Sequence, residues 1–181
     1  MLKKYALFKA MKRILLNPGN KYSIRELARE TGLSPSASKV SVDYMHNLGM
    51  VKLGKVGRSA QVEADLASPL TRQWKVLFSL EELERAEVKN RILEELEGVS
   101  SILLYGSAAL GVDDEKSDFD ILIITSSGKL SPRVFEKLKR EANAIVYKHS
   151  EWRTKAVKDK VFYERVILDS VVLYGNKPVV I

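Results

Sequence analysis

Two short motifs in the second half of the chain could hold a phosphorylated ligand together with a metal ion. Gly106 and Ser107 follow the apolar, β-prone run 99–105, and Asp118 and Asp120 open a second apolar run. Residues two apart on a β-strand share a face, so the two carboxylates are predicted to point the same way. Paired carboxylates bind Mg²⁺, and a Gly-Ser pair at a strand end lets backbone N–H groups and a hydroxyl approach phosphate oxygens. The spacing therefore predicts a site for a nucleoside triphosphate with Mg²⁺.

The order of these residues resembles a known superfamily. Gly-Ser, a loop of ten residues and then Asp-x-Asp entering a hydrophobic strand is similar to the nucleotidyltransferases related to DNA polymerase beta, above all the minimal nucleotidyltransferases of archaea and bacteria. Gly111 and Ser117 also match the usual pattern. The ending ERVILDSVVLYGNK resembles the domain's usual close, a helix followed by a short strand ending in Tyr-Gly. The resemblance covers residues 87–176 and implies a mixed α/β fold.

The resemblance also implies a role for each motif residue. Asp118 and Asp120 would be the catalytic residues and the metal ligands, and Gly106 and Ser107 would bind the β- and γ-phosphates. The implied cofactor is Mg²⁺ or Mn²⁺, and the implied substrate is a nucleoside triphosphate, with ATP the expected one. Two-metal chemistry would then align an in-line attack on the α-phosphorus, with pyrophosphate leaving.

The sequence departs from the family pattern in two places. Family members often carry an Arg just before the glycine that follows the Gly-Ser, whereas this chain has the apolar stretch 108–110 there. The family's third carboxylate lies on a later strand, and the candidate strand here, Ala142–Tyr147, offers Asn143 and no acid. Glu141 and Glu151 flank that strand without fitting the expected place. The missing Arg removes a basic contact to the triphosphate. Loss of the third acid leaves nucleotide and metal binding in place and puts the chemistry in question, because Asn cannot act as a general base.

Three functions follow. The first is an enzyme that transfers a nucleoside monophosphate from the triphosphate to an acceptor that the sequence does not identify. The second is a transcriptional regulator whose degenerate nucleotidyltransferase domain senses a nucleotide or contacts another protein. The third, an antitoxin-like protein with a toxin-like partner, follows only from the resemblance to minimal nucleotidyltransferases.

Charge separates the chain into two parts. Residues 1–75 carry 14 Lys and Arg against 5 Asp and Glu, a net charge of +9, whereas residues 76–181 carry 16 against 18, a net charge of −2. The whole excess of +7 therefore belongs to the N-terminal part. Such asymmetry favours a module that binds a polyanion, joined to one that does not.

The N-terminal part resembles the winged helix-turn-helix domains of prokaryotic regulators. Ser23 with Glu26 has the pattern of a capping box, and Ser34 with Pro35 has that of a second helix start. The predicted order is three helices and a two-stranded hairpin, over residues 2–16, 25–31, 35–47, 50–56 and 59–66. The resemblance implies duplex DNA as partner and, as in many such regulators, a homodimer. The predicted DNA contacts are Ser36, Ser38 and Lys39 on the third helix and Lys55 and Arg58 on the hairpin, whose turn is Gly57-Arg58.

On the third helix, periodicity predicts a core face made by Ala37, Val40, Tyr44, Met45 and Leu48. Between the two modules, residues 66–79 are predicted to be irregular. A single charged helix, started by a capping box of Ser79 with Glu82, would then cover 80–97.

The amino-acid composition excludes several kinds of site. The absence of Cys excludes disulfides, thiolate catalysis and Cys-containing zinc sites. No run approaches the roughly 20 apolar residues of a membrane span, and basic residues interrupt the N-terminal apolar stretch, so we expect a cytoplasmic protein without a membrane partner. The expected fold class is α+β: a winged helix-turn-helix over 1–75, a linker or connecting helix over 76–86, and a mixed α/β nucleotidyltransferase-like domain over 87–181.

Overall fold

A computed structural model describes residues 5–56 and 59–180. The chain forms two compact units, and its mixed α+β composition agrees with the prediction. The N-terminal unit is Met1–Phe78 together with Gly111–Glu115, and the C-terminal unit is Ser79–Leu110 together with Lys116–Ile181. The N-terminal unit is therefore discontinuous in sequence. None of the helices over the described ranges is long and apolar enough to cross a bilayer.

The N-terminal unit consists of helices and one small antiparallel sheet. Its elements are α1 (Ala6–Leu15), β1 (Tyr22–Ser23), α2 (Ile24–Thr31), α3 (Pro35–Asn47), β2 (Val51–Val56), β3 (Ser59–Ala64) and the first part of α4 (Pro69–Arg85). The strand order is β1-β3-β2. The predicted hairpin is thus confirmed, and its turn, Gly57-Arg58, lies outside the described residues.

The helix starts follow the capping pattern of the sequence. The Ser23 Oγ accepts a bond from the Glu26 N–H at 3.2 Å, and a Glu26 carboxylate oxygen accepts one from the Ser23 N–H at 2.8 Å. This reciprocal pair satisfies two backbone donors that the first turn of α2 would otherwise leave open. Gly32 ends the helix with φ of 67°. The Ser34 Oγ caps α3 in the same way by accepting a bond from the Ala37 N–H.

The packed face of α3 differs from the prediction. The buried residues are Ser38, Ser41, Val42 and Met45, whereas Val40, Tyr44 and Leu48 are exposed. Because α3 has few apolar residues, their spacing does not determine which face of the helix is buried. Serine side chains are small, which lets α3 pack closely against its neighbours, and the Ser41 hydroxyl bonds back to the Ala37 carbonyl at 2.9 Å.

The segment after the hairpin also differs from the prediction. Residues 69–85 form one helix, α4, with Ser79 buried inside it, so the predicted capping box of Ser79 with Glu82 is wrong. The predicted single helix over 80–97 is wrong as well: α4 ends at Arg85, Glu87 adopts φ of 58°, and α5 (Val88–Glu95) begins anew. The helical spacing of Leu70, Trp74 and Phe78 was the available signal for α4.

The C-terminal unit is built on a four-stranded sheet of order β6-β5-β4-β7, in which only the β5–β6 pair is parallel. After α5 its elements are β4 (Ser101–Tyr105), α6 (Gly106–Leu110), β5 (Phe119–Thr125), a 3₁₀ turn (Pro132–Phe135), β6 (Ala142–Lys148), α7 (His149–Lys158), α8 (Lys160–Asp169) and β7 (Val171–Gly175).

Each face of this sheet has its own core. Ile102, Leu104 and Ile121 point to a cluster that includes α5 residues. Leu103 and Leu122 point to the opposite cluster, with Trp152 of α7 and Val166 of α8. Apolar residues on both faces explain why β4 and β5 read as nearly continuous hydrophobic runs.

Candidate functional site

The candidate site lies where β4 ends and β5 and β6 begin. Tyr105, the last residue of β4, is paired with Asp120 of β5, and Asp120 is paired with Asn143 of β6. Because β4 runs antiparallel to β5 and β5 runs parallel to β6, these three strand ends meet at one edge of the sheet. The sheet therefore brings together the two motifs that the sequence places ten residues apart.

Gly106, directly after β4, adopts a backbone conformation that favours glycine. Its φ is 73°, a left-handed conformation that side chains rarely adopt. A β-carbon at this position would also collide with the carboxylate of Asp120. The Asp120 carboxylate thus packs directly against the backbone of the Gly-Ser motif. Ser107 follows on α6 and is half-buried.

Both carboxylates lie on one face, next to a single amide. The Asn143 Nδ2 donates a hydrogen bond to the Asp118 Oδ2 at 3.0 Å. The Asn143 side chain is also a hydrogen-bond partner of Asp120. Asn143 therefore occupies the position, on the neighbouring strand, where the family pattern predicts a third carboxylate.

The two flanking acids do not replace it. Glu141 is exposed, and its backbone carbonyl accepts a bond from the Phe119 N–H. The Glu151 carboxylate accepts a bond from the Lys148 N–H at 2.8 Å, at the start of α7. Within the described ranges, no group of three or more acidic, His or Cys side chains is placed to hold a metal ion. The charged protein ligands of a metal ion at this site would be Asp118 and Asp120. Mg²⁺ suits such a site, because it commonly keeps several waters and takes one or two carboxylates plus phosphate oxygens.

Burial and charge perturb two groups here. Partial burial raises the pKa of Asp120 above its ordinary value, the negative charge of Asp118 raises it further, and the bond from Asn143 lowers it. Burial, with the charges of Asp120 and Tyr147, raises the pKa of Tyr105 to about 12. Tyr105 is thus a neutral phenol at physiological pH, and its ring packs edge-on against Phe162. The site holds its carboxylates under mutual repulsion, a state that a divalent cation relieves.

Arg140 also belongs to the site, although no sequence motif points to it. Its Nε donates to the Ser117 carbonyl at 2.5 Å, and its guanidinium lies 4.1 Å from the centre of the Phe119 ring. A further nitrogen of the same guanidinium donates to the Asp118 carbonyl at 3.4 Å. Arg140 therefore fixes the backbone that carries the first carboxylate, and is a positioning residue. No motif marks Arg140, because it acts on backbone oxygens of residues more than 20 positions away in sequence.

The predicted DNA-contacting residues fall into three groups. Ser36, Lys39 and Lys55 are exposed. Ser38 is fully buried against the core, so its predicted contact with DNA is wrong. Arg58 lies outside the described residues. The Lys39 ammonium is 2.7 Å from the Asp43 carboxylate, which offsets its charge.

We expect Asp120→Asn to stabilise the metal-free protein at neutral pH. The pKa of Asp120 is raised in the folded state, so folding favours its protonated form and the folded protein loses stability as pH rises from the ordinary value of 3.8 through the raised one. Asn removes that cost, so the Tm of the variant should exceed that of the wild type increasingly over this window. Thermal melts across pH, with the exposed-acid variant Glu94→Gln as control, measure this difference. A gap that shrinks as pH rises would contradict the sign.

Comparison with known proteins agrees with the second unit. The family model described as nucleotidyltransferase domain matches residues 86–173, a little under half of the chain. A search against curated proteins gives no significant match.

Two solved structures share weak likeness with the chain. One is Sso10a-2, a DNA-binding protein from Sulfolobus solfataricus, which is 17% identical to this chain with a TM-score of 0.36. The match covers 48% of this chain and 90% of that chain. The other is a mutant of Lactococcus lactis ZitR in complex with DNA, which is 16% identical to this chain with a TM-score of 0.31. The match covers 48% of this chain and 69% of that chain. Scores this low establish no shared fold.

Proposed function

We propose that the chain is a DNA-binding protein whose C-terminal unit binds a nucleoside triphosphate with Mg²⁺ and transfers its monophosphate to an acceptor hydroxyl. One observation carries the proposal: Asp118 and Asp120 are both hydrogen-bonded by Asn143, and the Asp120 carboxylate lies against Gly106, which follows β4. The match of residues 86–173 to the nucleotidyltransferase domain supports it. Mn²⁺ could replace Mg²⁺, and ATP is the first nucleotide to test.

The roles of the residues follow from their chemistry. When bound, Mg²⁺ neutralises triphosphate charge and stabilises the departing pyrophosphate. Asp118 and Asp120 would hold the cation, and the Gly106 and Ser107 N–H groups with the Ser107 hydroxyl would contact phosphate oxygens. An acceptor oxygen bonds to the α-phosphorus as the bond to the β-phosphate oxygen breaks. The acceptor's proton passes to solvent, because the Asn143 amide has no basic lone pair to receive it.

Asn143 favours a second candidate function. A regulator that senses the nucleotide needs charge neutralisation and phosphate contacts, whereas turnover also needs an activated nucleophile in line with the α-phosphorus. The Asn143 amide preserves the first requirement and weakens the second. Titration of the full chain with Mg²⁺–ATP, followed by an assay of label transfer from α-labelled triphosphates to protein, RNA or small acceptors, separates the two functions. Binding with transfer supports the enzyme, and binding without transfer supports the sensor.

The N-terminal unit is the proposed DNA-binding module. The positive charge of residues 1–75, the exposed Lys55 beside the hairpin turn and the exposed Ser36 and Lys39 of α3 support a winged helix-turn-helix that places α3 in the major groove. Val40 and Tyr44 add an exposed apolar strip to the same helix. Apolar contact with thymine methyl groups is the base readout that such side chains provide.

Replacing Lys55 and Arg58 together by Ala should weaken binding to every duplex in a panel by a similar factor. The slope of log K against log salt should fall in magnitude by about 2, because each phosphate contact releases counterions. Fluorescence anisotropy at several salt concentrations measures both quantities. The matched control is Lys129→Ala with Lys158→Ala, which removes the same charge from the C-terminal unit. If the Lys55→Ala, Arg58→Ala variant binds DNA as the wild type does, the hairpin does not contribute to the DNA interface.

A further inference from the structure

The loop between the two nucleotide-site motifs belongs to the N-terminal unit. Gly111–Glu115 leaves α6 on one side and returns toward β5 on the other, yet it packs on helices of the first 78 residues. The Glu115 N–H donates to the Leu16 carbonyl at 2.9 Å, just after α1. Arg13 of α1 pairs with the Glu115 carboxylate at 3.5 Å. We call Gly111–Glu115 the strap.

A buried lysine holds the middle of the strap. The Lys75 side chain is fully buried, and its Nζ donates to the Leu15 carbonyl at 2.8 Å and the Asp113 carbonyl at 2.6 Å. An Asp113 carboxylate oxygen lies 3.5 Å from the same nitrogen. A buried ammonium is tolerated only when it is paired and hydrogen-bonded. Detachment of the strap would strip Lys75 of the Asp113 partners, so the strap is firmly anchored.

The first residue of the strap is fixed as well. Gly111 has φ of 67°, and its α-carbon lies so close to the Arg72 carbonyl of α4 that a β-carbon would collide with it. Glycine is required here for both reasons. The strap is therefore held at its start by α4, at its centre by Lys75 and at its end by α1.

Short tethers connect the strap to the candidate nucleotide site. The helix α6 carries Ser107 and ends at Leu110, immediately before Gly111. On the other side, Glu115 is three residues from Asp118, a reach of about 10 Å at most. Both motifs of the candidate site are therefore joined to the strap by short covalent segments.

We propose that the strap makes the DNA affinity of the N-terminal unit depend on nucleotide occupancy of the Gly106–Ser107 and Asp118–Asp120 site. The proposal rests on the proposed function, because it takes Mg²⁺–ATP and duplex DNA as the two ligands. Energetic coupling between two ligands is reciprocal. Mg²⁺–ATP therefore changes the Kd for DNA by the same factor by which DNA changes the Kd for Mg²⁺–ATP.

The first measurement uses the full chain. DNA is titrated with and without saturating Mg²⁺–ATP, and Mg²⁺–ATP is titrated with and without DNA. We expect equal factors of about fivefold or more in the two directions. Hydrogen exchange at the Glu115 amide, which is bonded to the Leu16 carbonyl, should change when Mg²⁺–ATP binds. Equal Kd values with and without the other ligand would overturn the proposal.

The second measurement tests the path. Inserting Gly-Ser-Gly between Leu110 and Gly111, and again between Glu115 and Lys116, lengthens both tethers while leaving the strap contacts in place. This variant should bind each ligand with the wild-type Kd, and the coupling factor should fall to one. The control carries the same six added residues at Gly128, and should keep the wild-type factor. Coupling that survives the lengthened tethers would exclude the strap as its path.

A third variant, Lys75→Met, removes the donor that anchors the strap. It should lose the coupling and the protection of the Glu115 amide, provided that a thermal melt shows it folded. The proposed function fails separately: if the wild type binds no Mg²⁺–ATP or no DNA, both proposals fall, whereas binding of both ligands without coupling overturns the strap alone.

Discussion

Metal-dependent nucleotide binding is expected to be lost when Asp118 and Asp120 are both replaced by Asn. The change keeps the side-chain shape and removes two negative charges that would neutralise the cation. Losing a residue that merely supports a metal ligand costs about 10–100-fold in affinity, so losing both charged ligands should weaken Mg²⁺–ATP binding by about 100-fold or more. Isothermal titration with Mg²⁺–ATP measures the effect.

Two comparisons make this result specific. DNA binding should survive in the same variant, because the positive charge that supports it belongs to residues 1–75. The control Glu94→Gln with Glu97→Gln removes the same charge near the opposite end of β4 and should bind Mg²⁺–ATP normally. If the double Asn variant binds the nucleotide with wild-type affinity, the nucleotide site does not include Asp118 and Asp120. If the wild type binds no nucleotide at any Mg²⁺ or Mn²⁺ concentration, the proposal of nucleotide binding is wrong.

Asn143→Asp is expected to supply the acid that the site lacks. The side chain lies against Asp118 and faces Asp120, so a third carboxylate would repel both and lower the Tm of the metal-free protein. Added Mg²⁺ or Mn²⁺ should restore the Tm, because it relieves that repulsion. If the wild type is a sensor, nucleotidyl transfer by the variant should rise by about 10²-fold or more, the usual scale of a positioned base.

The control for this prediction is Asn143→Ala, which removes the amide without adding charge and should give no gain in transfer. The paired assays are melts with and without metal and label transfer from α-labelled ATP. A metal-free Tm that is unchanged in Asn143→Asp would mean that the three side chains do not converge. A wild type that already transfers label at the rate of the variant would identify the chain as an active enzyme with Asn143 sufficient.

Local signals in the sequence predicted much of the site's scaffold. β5 covers Phe119–Thr125, the apolar run that begins between Asp118 and Asp120, and the strand pattern of residues 142–147 points to Asn143, which contacts Asp118. These predictions depend on period-2 burial and on short-range spacing. Arg140 and Lys75 were not predictable, because each acts on backbone carbonyls that are distant in sequence: 60 residues separate Lys75 from Leu15.

The helices also show which features can be predicted from the sequence and which cannot. Capping of α2 by Ser23 depends on residues three apart and was predicted correctly. The buried face of α3 depends on which neighbours it meets, and small buried residues such as Ser38 and Ser41 carry no hydrophobic signal. The predicted contact of Ser38 with DNA was wrong for that reason, whereas Ser36 and Lys39 remain predictions.

The discontinuity of the N-terminal unit has a consequence for how the chain is made. Residues 1–78 are synthesised before the strap, which supplies two oxygen partners to Lys75 and is not complete until residue 115 is translated. At about 5–20 residues per second, the nascent segment waits a few seconds with that ammonium lacking its Asp113 partners. A fragment truncated at residue 78 would remain permanently in this state. Attempts to express residues 1–78 alone should therefore fail more often than the length of this segment suggests, and supplying the strap in trans or by circular permutation should rescue folding.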